Sequence, residues 1–516
     1  MSLPDGTPSA AEVGEFLREI NSRGVRLWSE RGQLRYKAPK GALTETELLR
    51  LRASKDQLIA CLDTGQWQEA SRSLSLTRAP LAFSQLAHWR LYQLAQRPSV
   101  RQVAAALRLR GLLSVTTLRE SVSIVVGRHD ALRTRIVLAE DIPRQEIGSS
   151  RDVEIPLIDL TCVDESRRDT ELHQQIEAAI ERPIDVSRDS LIATWLWRTQ
   201  PNEHVLLVAM EHMISDMASM DICLREILTA YEQLLQEGTV LLPPVRLQFS
   251  DYACLQRNSH PQWLQCHGTY WERRLRDCPR QRLSGGDLLS PTNITSWTSV
   301  PLSLGITLKS RLREWCRAQR TSPAIALFTA YVALILRWCA ASEVVVRYQG
   351  NGRPGQQTQH SIGFFASRLY LRLEIQPRDR LTDLTHQVTQ EYCGAYEHDD
   401  FSYLETKTPA PACDRNTFFN YIPQTAPIGL PALRSSPHEL ILRPVSFANP
   451  WVKQLTWDNE PMAMLFETED GVSGAVYYPA QRLSAPTMER FARNYLAMVE
   501  RLLTRAQDPV ASISLV

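Results

Sequence analysis

One stretch near the middle of the chain changes abruptly from an apolar run to polar residues and then to helical spacing. Residues 205–210 are all valine, leucine, alanine or methionine, a run typical of a buried strand. Ser215 and Asp216 follow, and both are residue types that cap the amino end of a helix. Beyond them apolar residues recur every three or four positions up to Leu235. The pattern predicts a buried strand, a short polar turn and an amphipathic helix.

Strand and helical patterns also alternate through most of the remaining chain. Residues 343–348 are typical of a buried strand, and residues 325–338 form a strongly apolar helical pattern. A connection with paired prolines at 237–244 separates two groups of such elements. We therefore expect an α/β (α+β) protein with two mixed lobes, residues 79–243 and residues 244–516.

The amino-terminal part of the chain has a pattern of its own. Residues 25–29 and 33–37 alternate apolar and polar positions around the turn Glu30-Arg31-Gly32, which predicts a β-hairpin. An amphipathic helix precedes this hairpin, and a capping box follows it and starts another helix. We expect a small α/β-hairpin domain over residues 1–70, joined to the lobes by a linker at 71–78.

Composition limits the classes of function. The net charge is +1, which argues against a general role in binding nucleic acid or membrane surfaces. The 10 cysteines are scattered from Cys61 to Cys413 without a Cys-x-x-Cys pair, which argues against structural zinc and a disulfide framework. No signal-peptide pattern opens the chain, and no apolar run approaches membrane-spanning length. We expect a soluble, cytoplasmic monomer without a bound metal.

A histidine stands where the predicted strand ends. His212 and Asp216 form the only His-x-x-x-Asp pair in the sequence. The unperturbed pKa of imidazole lies near neutrality, so a histidine held rigidly at a strand exit suits a general base. The simpler alternative is a buried histidine followed by a capping aspartate, and the spacing alone leaves both open.

Residues 210–217 resemble the His-His-x-x-x-Asp-Gly signature of nonribosomal peptide synthetase condensation domains. Other stretches of the family pattern occur in the family's order, namely Phe83-Ser84-Gln85 with Trp89, Arg128-His129-Asp130-Ala131-Leu132-Arg133-Thr134, Phe249-Ser250-Asp251-Tyr252-Ala253, Ile362-Gly363-Phe364-Phe365, His398-Asp399-Asp400 and Phe419-Asn420-Tyr421. The resemblance extends from about residue 79 to the C-terminus. It implies two lobes that each resemble chloramphenicol acetyltransferase, arranged in a V with the active site between them.

The resemblance also implies a reaction. An acceptor amine or hydroxyl attacks an acyl thioester that a carrier protein presents on its phosphopantetheine, and this chain itself binds no cofactor. His212 would orient or deprotonate the acceptor. Asp216 would be structural and would form a buried pair with Arg128. Motif position further implies candidates for channel or substrate contacts, namely Ser84, Gly363, Phe365, Ser367 and Asn420.

Two positions of the signature differ from the family. Glu211 replaces the first histidine, and a carboxylate there could raise the pKa of His212 or point away from it. Met217 replaces the glycine and should narrow the channel. We therefore expect an active enzyme with an unusual donor or acceptor.

Most of residues 10–63 resemble β-hairpin docking domains of the tubulysin-synthetase type. A cationic hairpin can bind an acidic segment by edge-strand addition. The resemblance implies that an upstream acyl or peptidyl carrier protein, or a synthase subunit, docks here through an acidic C-terminal tail. The acceptor would be free or held on a second carrier protein. The candidate docking residues are Arg26, Trp28, Arg35, Tyr36 and Lys37.

Three functions stay open. The first is a free-standing condensation enzyme that forms an amide or ester, including for chain release. The second is a non-catalytic recruitment platform of the same family, which the altered signature favours. The third is a coenzyme A-dependent acyltransferase, which the docking unit argues against because a diffusible ester needs no docking. A serine acyl-enzyme is not expected, since the sequence has no Gly-x-Ser-x-Gly elbow. No adenylation or carrier segment follows, so the chain is not expected to load a substrate itself.

Overall fold

The computed structural model describes residues 25–30, 33–37, 43–44, 47–48, 51, 55, 58–59, 77–95, 102–149, 153–263, 267–279, 281, 283, 297–350, 352–353, 355–398, 416–423, 440–445, 460–468 and 471–515. The strands are β1 (Arg26–Glu30), β2 (Gln33–Lys37), β3 (Arg78–Pro80), β4 (Gln102–Arg110), β5 (Thr134–Ala139), β6 (Ile142–Ile147), β7 (Leu157–Asp159), β8 (Ile192–Gln200), β9 (Glu203–Glu211), β10 (Trp297–Gly305), β11 (Glu343–Gly350), β12 (Ser367–Glu374), β13 (Phe418–Ile422), β14 (Ile441–Val445), β15 (Met462–Thr468) and β16 (Gly471–Pro479). The helices are α1 (Phe83–Ala95), α2 (Val115–Arg128), α3 (Glu165–Ile180), α4 (Met217–Glu237), α5 (Phe249–Trp263), α6 (Thr269–Leu275), α7 (Ile306–Gln319), α8 (Pro323–Trp338), α9 (Leu381–Glu397) and α10 (Ala485–Thr504).

Strand β9 forms the centre of the first lobe. It pairs antiparallel with β4 along one edge and with β8 along the other, in a sheet ordered β14-β4-β9-β8-β7. Helices α2 and α4 pack on one face of this sheet and α3 packs on the other. Because both faces are covered, every residue of β9 is buried. This double burial explains the uninterrupted apolar run in the sequence.

The second lobe is built on a sheet of six strands ordered β10-β16-β15-β13-β11-β12. Helix α8 lies in its core, with every residue from Ile325 to Leu336 buried. Helices α9 and α10 contribute to the same core. The apolar helix predicted at 325–338 and the strand predicted at 343–348 are confirmed as α8 and β11.

Two segments from beyond residue 243 contribute to the first lobe. Strand β14 pairs antiparallel with β4 and so extends the first sheet. Phe249 and Tyr252 of α5 lie in the same hydrophobic core as Ile214 and Met220. The division at residues 243 and 244 stays a prediction, and these segments connect the two halves on either side of it.

The predicted hairpin near the amino terminus is confirmed. Strand β1 pairs antiparallel with β2, in a register that places Trp28 opposite Arg35. Glu30 pairs with Gln33, so Glu30 is a strand residue and the predicted turn is one residue too long. The predicted first helix, most of the second helix, and linker residues 71–76 lie outside the described residues, whereas Arg78 begins β3.

The capping box after the hairpin is also confirmed. The Thr44 amide donates to a carboxylate oxygen of Glu47 at 2.8 Å, and the Glu47 amide donates to the Thr44 hydroxyl at 3.3 Å.

No single helix in the described part of the chain is both long and apolar enough to cross a membrane. Ile306–Gln319 and Pro323–Trp338 reach that threshold only as a pair, across a bend of 99°.

Candidate active site

The strand, turn and helix predicted around His212 are confirmed. Strand β9 ends at Glu211, and a single 3-10 turn, His212–Ile214, follows directly. Asp216 then caps α4, because its carboxylate accepts a hydrogen bond of 2.7 Å from the amide of Ser219. The rigid central strand thus ends at the histidine, and the cap fixes the turn that carries it.

One hydrogen bond determines the tautomer of His212. Its Nδ1 lies 2.9 Å from the carbonyl oxygen of Ser215. A carbonyl oxygen can only accept, so Nδ1 carries the proton and donates it. In the neutral ring the lone pair is then on Nε2, which is the nitrogen that can take a proton from a substrate.

Two aromatic rings from distant parts of the sequence hold the His212 ring. The ring centroid of His88, on α1, lies 5.1 Å away in an edge-to-face arrangement. The Phe364 ring, from the segment between β11 and β12, lies 4.7 Å away. Ser84 connects these two neighbours, since its hydroxyl donates to the Phe364 carbonyl at 2.8 Å. His212 itself is half-buried.

Asp216 anchors this histidine turn to the second lobe. Its Oδ1 accepts from Arg353 Nη2 at 2.8 Å, and its Oδ2 accepts from the amides of Phe365 and Ala366 at 3.1 and 3.2 Å. The Arg353 and Asp216 side chains are only 7% and 6% exposed. A buried carboxylate with this many donors is held in place, which fits the structural role that the resemblance implies for Asp216.

The predicted partner of Asp216 is wrong. Arg128 pairs instead with Glu226, with 3.0 Å between Nε and Oε2. Glu226 lies on α4, ten residues after the capping Asp216, which is about 15 Å along a helix axis. Arg128, which is paired with Glu226, therefore cannot reach the Asp216 carboxylate. The sequence predicted a buried pair between Asp216 and an arginine, which is observed, but that arginine is Arg353.

A sequence signal for Arg353 does exist. It is a single charged residue in the glycine-rich turn between two buried strands, β11 and β12. Gly352 beside it has φ +59°, and a Cβ there would lie 1.7 Å from the Phe365 carbonyl oxygen. Only glycine allows this close approach of the two chain segments, and it brings Arg353 to Asp216.

The Arg-His-Asp stretch that supplied Arg128 has its own function in the fold. His129 Nε2 lies 2.8 Å from Oε2 of Glu226, beside the Arg128 guanidinium. Burial raises the pKa of Glu226, but the His129 and Arg128 contacts outweigh burial and hold that pKa below its ordinary value. This cluster fixes α2 to the middle of α4.

Glu211 is buried at the end of β9. Its amide donates to the Leu191 carbonyl at 2.8 Å, and its own carbonyl accepts from the Ser215 hydroxyl at 3.0 Å. Burial raises the pKa of Tyr92, and the negative charges of Asp185 and Glu211 raise it further. The Glu211 carboxylate is therefore close enough to Tyr92 to affect its ionisation.

Three of the motif-derived channel candidates lie within packed structure. Gly363 lies against Phe249, whose ring would be 2.1 Å from a Cβ at that position. Phe365 is 3% exposed and packs against Phe249, Tyr252 and the Arg353 guanidinium. Ser84 is 6% exposed and bonded to main chain. All three positions are thus packed against other parts of the protein, and their predicted roles in the channel remain predictions.

The other three candidates differ in their exposure to solvent. Met217, the first residue of α4, is 43% exposed. Ser367 opens β12 and is buried, and its carbonyl accepts from Gln349 Nε2 at 2.8 Å. Asn420 is half-buried in β13. Their predicted roles in the channel remain predictions.

Comparison with known families identifies the class. Residues 75–516 match the family model of the condensation domain, and residues 13–63 match the model of the TubC N-terminal docking domain. The chain therefore belongs to the condensation-domain family and carries an amino-terminal docking domain of the TubC type. Both resemblances inferred from the motifs are confirmed.

Curated relatives extend far beyond this chain. Malpibaldin synthetase from Mortierella alpina is 24% identical over 447 residues, which cover 84% of this chain and 8% of that protein. Surfactin synthase subunit 1 from Bacillus subtilis (strain 168) is 25% identical over 419 residues, which cover 80% of this chain and 11% of that protein. This chain thus spans about a tenth of the length of these relatives.

Solved structures confirm the fold. The first condensation domain of the calcium-dependent antibiotic synthetase, in complex with a substrate analogue, aligns with a TM-score of 0.68 at 17% identity, over 85% of this chain and 100% of that one. The X-domain from teicoplanin biosynthesis, in complex with OxyB, aligns with a TM-score of 0.69 at 21% identity, over 86% and 97%. The chain has their two-lobed, chloramphenicol acetyltransferase-like fold.

Proposed function

We propose that this chain is a condensation enzyme of a nonribosomal peptide or polyketide assembly line. It transfers an acyl group from the phosphopantetheine of a carrier protein to an amine or hydroxyl, and thereby forms an amide or ester. The observation that carries the proposal is the fixed tautomer of His212, which leaves the lone pair on Nε2. A histidine that only fills the core would be expected to be fully buried, whereas His212 is half-buried where the two lobes meet and its Nε2 carries the lone pair.

The proposed reaction balances without a cofactor bound to this chain. The acceptor nitrogen or oxygen attacks the thioester carbonyl carbon, and His212 Nε2 takes the acceptor's proton. The tetrahedral intermediate collapses, the C–S bond breaks, and the departing phosphopantetheine sulfur takes that proton from His212. Asp216 takes no proton in this scheme, because its carboxylate is held by Arg353 and main-chain amides.

The proposed partners follow from the docking domain. The β1–β2 hairpin binds an acidic C-terminal tail of an upstream carrier protein or synthase subunit by edge-strand addition. The acceptor arrives free or on a second carrier protein, and the chain acts as a cytoplasmic monomer. The match to the TubC N-terminal docking domain supports this arrangement.

A recruitment platform is the second candidate. The X-domain with a related fold is named in complex with another protein, OxyB, and here Glu211 and Met217 alter the signature. A coenzyme A-dependent acyltransferase is the third candidate, and the docking domain argues against it because a diffusible ester needs no docking.

Intact-mass spectrometry of a loaded carrier protein distinguishes these candidates. A carrier bearing an acyl thioester is incubated with the chain and a panel of amines and alcohols. Condensation removes the acyl mass from the carrier and yields an equal amount of amide or ester. Loading the same acyl groups on coenzyme A tests the third candidate in parallel.

The matched control is His386→Ala, which changes an exposed histidine of α9 far along the chain from the turn. His212→Ala should lower transfer by roughly a hundredfold or more, whereas His386→Ala should not change it. If the acyl group stays on the carrier with every acceptor while the carrier still binds the chain, the recruitment function replaces the enzymatic one.

A further inference from the structure

One half-buried arginine beside the candidate site pairs with no carboxylate in the described part of the chain. Arg257 lies on α5, and its guanidinium carbon is 4.9 Å from the centroid of the Phe83 ring. Burial alone lowers its pKa, with no charged neighbour acting against the shift. The cation therefore bears the cost of partial burial without a counter-charge.

Four partly buried arginines of this region are neutralised by carboxylates, whereas Arg135, Arg144 and Arg246, like Arg257, form no ion pair with a described carboxylate. The pairs are Arg108 with Glu203, Arg128 with Glu226, Arg133 with Asp130, and Arg353 with Asp216. Arg257 differs from all four. Its contact with the Phe83 ring restrains the guanidinium but uses none of its N–H donors. The donors stay available to an anion.

The position of Arg257 relates it to His212. Gln256 Oε1 accepts from the Phe83 amide at 2.8 Å, which fixes the neighbouring Arg257 at the amino end of α1. Five residues later on the same helix, His88 contacts the His212 ring. That separation is about 7.5 Å along the helix axis. An extended ligand that contacts Arg257 with one end and runs along α1 would therefore bring its other end toward His212.

We propose that Arg257 binds the phosphate of the phosphopantetheine arm that brings a reacting group to His212. The inference rests on the proposed function, which requires such an arm. A guanidinium binds phosphate oxygens through two parallel N–H···O bonds, and a phosphate supplies the counter-charge that the described residues do not. Arg257 is thus a binding residue at the far end of the arm from the chemistry.

The test compares two donors that differ by one phosphate. Acyl-pantetheine and acyl-phosphopantetheine are given to the full-length chain at a fixed concentration of a free acceptor. The wild type should show a KM for the phosphorylated donor that is lower by roughly tenfold or more, as expected for a charge-assisted bond. Arg257→Gln should remove that preference and leave the KM for acyl-pantetheine unchanged. Arg257→Lys should retain part of it.

A second experiment places the phosphate on the acceptor instead. The KM values of aminoacyl-phosphopantetheine and aminoacyl-pantetheine are compared, with acyl-pantetheine as the donor in both cases. If Arg257→Gln removes the phosphate preference in the donor series, Arg257 binds the donor's phosphopantetheine, and if it does so in the acceptor series, Arg257 binds the acceptor's. Equal KM values for the phosphorylated and unphosphorylated members of both series in the wild type would overturn the proposal.

Two controls separate phosphate binding from a general charge effect and from simple packing. Arg188→Gln changes an arginine whose side chain is 85% exposed and should keep the phosphate preference.

If the wild type transfers nothing, the proposed function fails, and calorimetric binding of phosphopantetheine itself then decides the inference. Weaker binding by Arg257→Gln upholds it, and equal binding refutes it. A lower melting temperature with an intact phosphate preference would mean that Arg257 only packs against Phe83.

Discussion

At the scale of single residues, the proposed chemistry depends on one proton on one ring nitrogen. His212→Ala removes the Nε2 lone pair, so transfer should fall by roughly the hundredfold or more that a lost general base costs. Single-turnover transfer from a loaded carrier measures the effect. His212→Gln should be equally slow, because an amide cannot take the proton. The idea fails if either variant turns over like the wild type while both remain folded.

The contact between His88 and His212 gives a second prediction. His88→Ala removes a ring 5.1 Å from the His212 ring and should lower kcat several-fold by loosening its orientation. His88→Phe keeps an aromatic ring there and should restore most of kcat. Steady-state kinetics of both variants make the comparison. Equal losses in the two would instead assign a chemical role to the His88 imidazole.

These residues also show what the sequence could predict. His212 and Asp216 are four positions apart, and the strand and helix around them have clear periodicity, so the turn was predictable. Arg353 and His88 reach the turn from 137 and 124 positions away. Contacts at that distance depend on how the lobes pack, which local patterns do not encode. Arg128 was implied as the partner of Asp216 by its motif position in the family resemblance, and motif position does not report which side chains meet in space.

At the scale of secondary structure elements, buried ion pairs fix α4 at two points. Asp216→Ala or Arg353→Ala should each cost several kcal/mol of unfolding free energy, of the order of breaking a buried pair. Urea unfolding of the singles and the double gives the coupling energy. The Asp216 and Arg353 changes should be strongly non-additive, whereas Asp216 and Arg128 changes should add. Coupling of Asp216 with Arg128 would contradict the structure.

The second ion pair on α4 predicts a pH dependence. The pKa of Glu226 is held below its ordinary value of 4.5 in the folded protein. A lowered carboxyl pKa contributes stability above the unfolded-state pKa and loses it as pH falls through the folded-state value. Glu226→Gln should therefore be less stable than the wild type at pH 7, with a difference that shrinks below pH 4.5. Urea midpoints across that range measure it, and a constant difference would argue against the linkage.

Propensity and pairing conflict in one strand. Residues 103–106 read Val-Ala-Ala-Ala, a composition that favours a helix, and yet they lie within β4. All four residues pair with β9, and Ala106 also pairs with Val445 of β14, so strand pairing decides the outcome. Strand β14 itself comes from the second half of the chain. Strand β4 forms because of the strands that pair with it, so its own sequence pattern did not predict it.

At the scale of the whole molecule, the proposed function assigns delivery of the carrier to the docking domain and the chemistry to the two lobes. Within the described residues, β1 pairs only with β2, so each strand has an edge that another chain can extend. Arg35 and Tyr36 of β2 are exposed. A tail held here raises the local concentration of a carrier without contacting His212. Loss of the domain should therefore affect only substrates that arrive on the cognate carrier.

Deleting residues 1–70 tests this separation. Transfer from the cognate carrier should slow, and added salt should reproduce part of the loss in the full-length chain, because the charges around the hairpin are screened. Arg35→Glu should act in the same direction with the domain still present. Transfer from a small soluble pantetheine thioester should stay nearly unchanged in every case, since the residues around His212 all belong to the two lobes. If the deletion slows both substrates equally, residues 1–70 belong to the catalytic fold, and docking must occur elsewhere on the chain.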